Sequence, residues 1–439
     1  MPKPTVGAAG ALSIGIGGIV GGGFFATFGL TVVGGQGATW ISFLVGGALA
    51  LLTAYSYVQL TLRYPGPGGT VSFISTGLGR GLFSAAINRL LIISYIALMA
   101  VYANALGAYT ASYLPPDERR LGTQLIASGA ILLLAVVNLA GGKLMDRLGG
   151  VFNVSKLGVL VVFIAGGFLL GQPTWGRLGP SNWVPFVSVI SSGMVGFLSY
   201  EGFELIANAS ESLENPARTV PIAFYGSVGV AIVIYVLAVV IAIVHEPIAA
   251  MEEAKEFALS ATAARFLGPV GFGMMVFGAV MASASAINAD LFGAAKLPVM
   301  LALSHEAAPA FSREYKGRHM VSMGVLAIGA VLAVFFVSLH ALSAATSGGF
   351  LIVFAAVNLV NFRLAKETKS RAWISAVATL ACLAALAIML YDFAATPATR
   401  VSAYAVGVAV LLSLIWSVGF RRAEDRITRR AAGAARPRR

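Results

Sequence analysis

Six glycines fall within nine positions near the start of the chain: Gly15, Gly17, Gly18, Gly21, Gly22 and Gly23, all inside an apolar run. Each costs about 1 kcal/mol relative to alanine in a helix, so a helix through them is expected to break. A later apolar run carries Gly193, Gly196 and Gly202, with Ser191, Ser192 and Ser199 between them and two acids, Glu201 and Glu204. A third buries a base, Lys156, within Asn153-Val154-Ser155-Lys156-Leu157. Unwound backbone offers N–H groups and positive dipole ends to an anion, and carbonyl oxygens to a cation. The chemistry on offer is therefore recognition of a small molecule that carries both charges. Small residues also let helices pack closely, which explains any single glycine. It does not explain three adjacent ones together with acids in a second run.

The elements that must hold these residues follow from composition. Of 439 residues 58% are hydrophobic and only 11% charged, whereas a soluble domain carries about 25% charged residues. The apolar residues gather in runs of roughly 20, enough for a helix to cross about 30 Å of hydrocarbon. The alternating runs of roughly 10 that a membrane barrel needs are not seen. We read an all-α membrane protein of about twelve transmembrane helices, near 8–33, 37–62, 84–113, 122–142, 149–171, 186–208, 220–244, 268–298, 321–340, 342–363, 372–392 and 399–420. They form one transmembrane domain over 1–420, followed by a basic tail, 421–439, expected to be cytoplasmic and without structure. With both termini in the cytoplasm, Arg119, Arg120, Arg177, Lys255, Arg265 and Arg400 lie outside and Lys156 in the membrane. The remaining lysines and arginines all fall inside, as the positive-inside rule asks. The net charge of +12 thus reflects orientation and lipid headgroups, not nucleic acid. The first run lacks a cleavage site and reads as a working span. Cys382 is the one cysteine, so no intrachain disulfide forms.

Spans one and six are corresponding members of two five-helix halves, about 8–171 and 186–363, with extra helices at about 372–420. Interrupted helices at matching places in inverted repeats point to the midplane site of a secondary transporter. An α-amino acid carries the two groups that such breaks bind. A membrane enzyme would need a metal cluster or a nucleophile–base pair. His245, His305 and His319 lie near loops, His340 is isolated at a span end, and no His-Glu-x-x-His or Cys cluster occurs. A channel should repeat a filter loop or charged ring, and none recurs.

At these residues the chain resembles the amino acid–polyamine–organocation (APC) superfamily. Val20-Gly21-Gly22-Gly23-Phe24-Phe25 looks like its first-helix signature, with Gly22 where a serine is usual. Tyr64-Pro65-Gly66-Pro67-Gly68-Gly69-Thr70 is similar to the loop before its third helix. Phe197-Leu198-Ser199-Tyr200-Glu201-Gly202-Phe203-Glu204, continuing through Ala209 to Pro221, resembles its sixth helix and the loop that follows. Ser283-Ala284-Ser285-Ala286-Ile287-Asn288-Ala289 resembles its eighth. The resemblance implies a LeuT-type 5+5 inverted repeat, substrate bound between the unwound parts of helices one and six, and no ATP hydrolysis. No Gly-x-x-x-x-Gly-Lys-Ser/Thr loop is present.

The resemblance also suggests residue roles. Lys156 matches a fifth-helix lysine whose ammonium fills the place of sodium in sodium-driven relatives, which here would set it against the carbonyls of Gly17 to Gly21 and the hydroxyls of Ser283 or Ser285. Read from position alone, Lys156 either snorkels to the cytoplasmic surface or sits buried and trades a proton. Glu204 matches a position linked to proton sensitivity. Glu201 either meets the cargo or caps a freed backbone N–H. Gly21, Gly22, Gly23, Phe24, Phe197, Ser199, Tyr200, Glu201, Gly202 and Asn288 are expected to bind substrate. Lys156, Glu204, Ser283 and Ser285 are expected to couple its movement. Tyr95 and Asn104 are further pocket candidates, and Phe25 flanks the first break. The expected partners are an amino acid or, alternatively, a polyamine or other small amine, protons, and membrane lipid. No cofactor or metal is expected. The function implied is sodium-independent symport or exchange across the cytoplasmic membrane.

Overall fold

The computed structural model describes residues 6–66, 68–79, 81–140, 143–304, 306–314 and 319–434. Pro67, His305, the last two residues of the fourth expected span and positions 435–439 lie outside them. The described chain is helical throughout its apolar runs. The first half holds α1 (Ala8–Ile19), α2 (Gly22–Gly35), α3 (Thr39–Arg63), α4 (Gly69–Leu78), α5 (Leu82–Ala111), α6 (Arg119–Ala140) and α7 (Lys143–Leu170). The second holds α8 (Phe186–Phe197), α9 (Leu205–Asn208), α10 (Pro216–His245), α11 (Ile248–Ala254), α12 (Ala258–Gly293), α13 (Lys296–Leu303), α14 (Met320–Phe336) and α15 (Leu339–Arg363). Next come the one-turn α16 (Ala365–Thr368), then α17 (Ala372–Ala395) and α18 (Arg400–Ala434).

Among the described residues ten helical stretches are long and apolar enough to cross a membrane, and α1 with α2, bent by 45°, makes an eleventh as one broken span. α14 stands where the ninth of the twelve spans was expected. Its 17 residues reach about 25 Å at 1.5 Å per residue, short of a hydrocarbon core of about 30 Å.

α5 and α15 run through the middle, with 83% and 89% of their apolar stretches buried. α17 and α18 lie at the edge, each 28% buried, and expose Leu380, Leu383, Leu411 and Ile415. The inner contacts follow matching places in the two halves. α1 packs on α10 and α8 on α3, while α7 packs on α12 and α15 on α5.

Two expectations are corrected. The stretch 245–267, read as an outside loop, folds into α11, a 3-10 turn Lys255–Phe257 and the first ten residues of α12. Its composition, rich in alanine and glutamate, favours helix, and the turn back comes only at Gly268 (φ 62) before Pro269. Arg265 pins this segment to the end of α10 by donating to both oxygens of Glu246 at 2.6 and 2.7 Å. The basic tail continues α18 as far as Ala434 instead of leaving the helix after the membrane.

Close backbone approach sets the spacing of the central helices. A β-carbon on Gly107 of α5 would lie 2.3 Å from the Thr123 carbonyl oxygen of α6, whereas one on Gly129 of α6 meets nothing within 4 Å. Gly107→Leu should therefore cost about 1–3 kcal/mol and lower the melting temperature of the purified protein. Gly129→Leu should leave the melting curve in place.

Candidate functional site

α1 ends at Ile19, Val20 leaves the helix at ψ 66, and Gly21 is extended (φ −108, ψ −158) before α2 begins at Gly22. The second break is longer. α8 ends at Phe197, a 3-10 turn covers Leu198–Tyr200, Glu201 is extended (φ −67, ψ 151), and Gly202 takes φ 112 before α9. The breaks touch backbone to backbone. A β-carbon on Gly202 would lie 2.6 Å from both the carbonyl carbon and oxygen of Gly18. One on Gly18 would lie 2.7 Å from the Gly202 oxygen. Gly23 brings α2 against the second break, its β-carbon position lying 3.1 Å from the Leu198 oxygen. At Gly22 the neighbour is Ser283, whose Oγ lies 2.7 Å from a built β-carbon. A serine side chain at this position would collide with Ser283, which accounts for glycine here. The glycine run thus serves both purposes, breaking the helix and allowing close approach.

Freed backbone groups at membrane depth need partners. The Tyr235 hydroxyl of α10 lies 2.9 Å from the Ile19 oxygen and 3.1 Å from the Ser199 oxygen, so one donor serves both breaks. The Ser199 and Thr27 hydroxyls meet at 3.2 Å. Lys156 is fully buried and its Nζ donates to the Gly17 oxygen at 2.7 Å, so it does not snorkel. No described hydrogen bond joins it to Ser283 or Ser285: the Ser283 Oγ is buried without a partner and Ser285 is half-buried.

The capping weighed for Glu201 falls to its neighbour. Glu204 does the capping: its Oε2 accepts from the Gly202 N–H at 2.8 Å and its Oε1 from the Tyr95 hydroxyl at 2.7 Å. Glu201 caps nothing, being fully buried with neither oxygen hydrogen-bonded. Among the aromatics Phe24 is central, stacked on Tyr235 with ring centroids 4.4 Å apart and planes 4° from parallel. Phe25 packs edge-on against Tyr109. Phe197 packs against Phe354, and the Tyr200 hydroxyl donates to the Phe43 oxygen at 2.8 Å.

Two expected pocket residues face elsewhere. The Asn288 Oδ1 accepts from Asn138 of α6 at 2.6 Å, because a buried amide in a bundle takes the nearest amide partner. Asn104 bonds its own helix and lines an outer cavity of about 740 Å³ with Arg119, Arg120, Glu253 and Glu256. Sequence reasoning missed Tyr235 and Asp290. Nothing in the run Ile234-Tyr235-Val236 marks the tyrosine, whereas Asp290 is an acid inside the eighth apolar run and was detectable as such.

The segments flanking the two breaks are tied together at both ends. The Val6 N–H donates to the Ser212 oxygen and the Glu214 N–H to the Val6 oxygen, at 3.1 and 2.9 Å, tying the chain before α1 to the segment after α9. At the other end the Gly37 N–H donates to the Asn182 oxygen at 3.0 Å, joining the end of α2 to the approach to α8.

An all-helical bundle of apolar spans with two interrupted helices meeting inside it is the architecture of a membrane transporter. Residues 7–418 match the amino acid permease family, and the chain belongs to it. It is 29% identical to the inner membrane transport protein YbaT of Escherichia coli, over 94% of this chain and 95% of that one. It is 30% identical to an uncharacterized protein of Methanocaldococcus jannaschii, over 87% of each. It is also similar to cationic amino acid transporter 1 of Arabidopsis thaliana, at 26% over 81% of this chain and 62% of that protein. The chain is a multi-pass membrane transporter of the APC group and not an enzyme.

The contact at Gly202 is sharply testable. Gly79 also has positive φ (74) but open space around its β-carbon position. Gly79→Ala should cost about 1 kcal/mol, from backbone strain. Gly202→Ala adds a collision with the Gly18 backbone and should cost more than about 2 kcal/mol. Thermal unfolding of the two variants side by side measures the difference.

Proposed function

We propose that this protein carries an amino acid across the cytoplasmic membrane by alternating access, independently of sodium, as a proton-coupled symporter or an exchanger. The observation that carries the reading is the meeting of the two breaks at Gly18 and Gly202 beside the start of α2. The first N–H groups of α2 have no partner within their own helix and suit a carboxylate. The Ile19 and Ser199 oxygens, now served by Tyr235, suit an α-ammonium. Gly21, Gly22, Gly23, Phe24, Phe197, Ser199, Tyr200, Glu201 and Gly202 are the residues assigned to substrate, with Tyr235 added. Asn288 is withdrawn, its amide being engaged by Asn138.

Lys156 is assigned the part of a fixed coupling cation. A sodium ion at the first break would compete for the Gly17 oxygen that its ammonium already meets. Deprotonation would free the α1 carbonyl and loosen the tie between α7 and α1. The paired contacts of α1 with α10 and α8 with α3, and of α7 with α12 and α15 with α5, support an inverted repeat of about 8–171 and 186–363. In the proposed cycle the two repeats rock about the fixed site. The excess of lysine and arginine on one side supports cytoplasmic termini. Relatives named as cationic amino acid transporters support an amino acid as cargo.

Two measurements test this. Gly23→Leu should abolish amino acid binding, read by thermal shift or equilibrium dialysis, while the variant still purifies as a folded monodisperse protein. In proteoliposomes, replacing sodium by choline should leave wild-type uptake unchanged. Lys156→Ala should cut uptake by about tenfold or more, the loss of a buried charge-assisted hydrogen bond. A strict sodium requirement, or full uptake by Lys156→Ala with an unaltered pH profile, would contradict the assignment.

A further inference from the structure

Glu201 lies in the second break, fully buried, and neither carboxylate oxygen has a hydrogen-bond donor. Asp290 of α12 is 3% exposed, and its Oδ2 likewise has none. Glu204 lies within electrostatic range of both, but Tyr95 and Gly202 already satisfy its two oxygens. The hydroxyl-bearing ring of Tyr102, on α5, is within range of all three acids. Lys156 donates to the Gly17 oxygen and to none of them. Among the described residues no group of three His, Cys, Asp or Glu side chains is placed to hold a metal ion. The acids therefore do not converge as metal ligands; Glu201 and Glu204 come from the second break and Asp290 from α12, with Tyr102 of α5 facing them.

Carboxylate oxygens at this depth without donors are costly; a proton relieves that cost in the empty site, and a cation with N–H groups of its own relieves it when cargo is bound. An ammonium brings three such groups and a guanidinium five. We propose that Glu201 and Asp290 receive the cationic side chain of the cargo, so that this transporter selects amino acids ending in an ammonium or guanidinium and Asp290 is a specificity residue. The inference rests on the reading of the breaks as the amino acid site. The start of α2 takes the α-carboxylate and the break carbonyls take the α-ammonium, which leaves the two unpartnered acids for the side chain. Glu204, already capped, supplies negative field without contact.

The test is counterflow in proteoliposomes, with labelled lysine and labelled leucine as probes and cadaverine as competitor. The wild type should exchange lysine in preference to leucine. Asp290→Asn and Glu201→Gln should each lower the lysine-to-leucine ratio by about tenfold or more, the scale of a lost charge-assisted hydrogen bond. Asp290→Glu should restore much of the ratio, which a purely structural role in α12 would not predict. Three results would overturn the proposal. Leucine preferred by the wild type is one, and an equal loss of lysine and leucine exchange in Asp290→Asn is another. Cadaverine competing as well as lysine is the third, since a diamine leaves the start of α2 without its carboxylate. Failure of the underlying site is told apart by Gly23→Leu: unchanged leucine exchange in that variant removes the site itself. Abolished leucine exchange there, in a transporter that never preferred lysine, removes only the assignment of Glu201 and Asp290.

Discussion

The contact between Gly18 and Gly202 fixes the centre of this molecule. Two interrupted helices come so close there that neither can carry a β-carbon. Helices interrupted at membrane depth release N–H and C=O groups that lipid cannot satisfy, at several kcal/mol each. Here several of the released groups are met by side chains, two from neighbouring helices and one from the second break itself. Tyr235 serves the Ile19 and Ser199 oxygens, Lys156 the Gly17 oxygen, and Glu204 the Gly202 N–H. These are single, exchangeable bonds from three different side chains. A site held in this way is stable when sealed, yet each of its partners can be displaced by a ligand group of the same kind.

The packing around the contact explains how such a site could open to one side at a time. Ties at the two ends of the broken helices are distinct and local: Val6 with Ser212 and Glu214 at one end, Gly37 with Asn182 at the other. Both sets are intact in this structure, and Phe24, Phe197, Tyr200 and Glu201 are fully buried between them. In the proposed cycle one set breaks while the other holds. The helices α5 and α15 stay largely enclosed at the centre, and the Tyr95–Glu204 bond links α5 directly to the second break.

Much of this was legible in the sequence, because the signals were local. Glycine runs and acids inside apolar stretches announce interrupted helices wherever they occur, and the lysine that meets α1 was conspicuous as a base inside a span. What could not be read was which partner each group would choose. Glu201 and Glu204 are three residues apart and look alike in the sequence. In the folded chain the Gly202 N–H meets Glu204, and Glu201 is left unpartnered. Tyr235 is one tyrosine in an apolar helix, and its role depends on α10 crossing both breaks. Asn288 was drawn away by Asn138, 150 positions earlier in the chain. The helical stretch at 248–267 was misread because acidic residues in a short loop and on a surface helix share one composition. Asp290 was there to be seen, and counting intramembrane acids would have found it.

The account rests on the breaks being the place where substrate sits and where access alternates. The most direct measurement is thiol labelling at Ser199, whose side chain bonds Thr27 across the two breaks. Ser199→Cys in a chain carrying Cys382→Ser, reconstituted in vesicles, would be treated with impermeant thiol reagents from each side in turn. The account predicts slow labelling from both sides, and slowing of both rates by a saturating amino acid that the protein transports. Labelling from one side alone, or rates untouched by substrate, would contradict it.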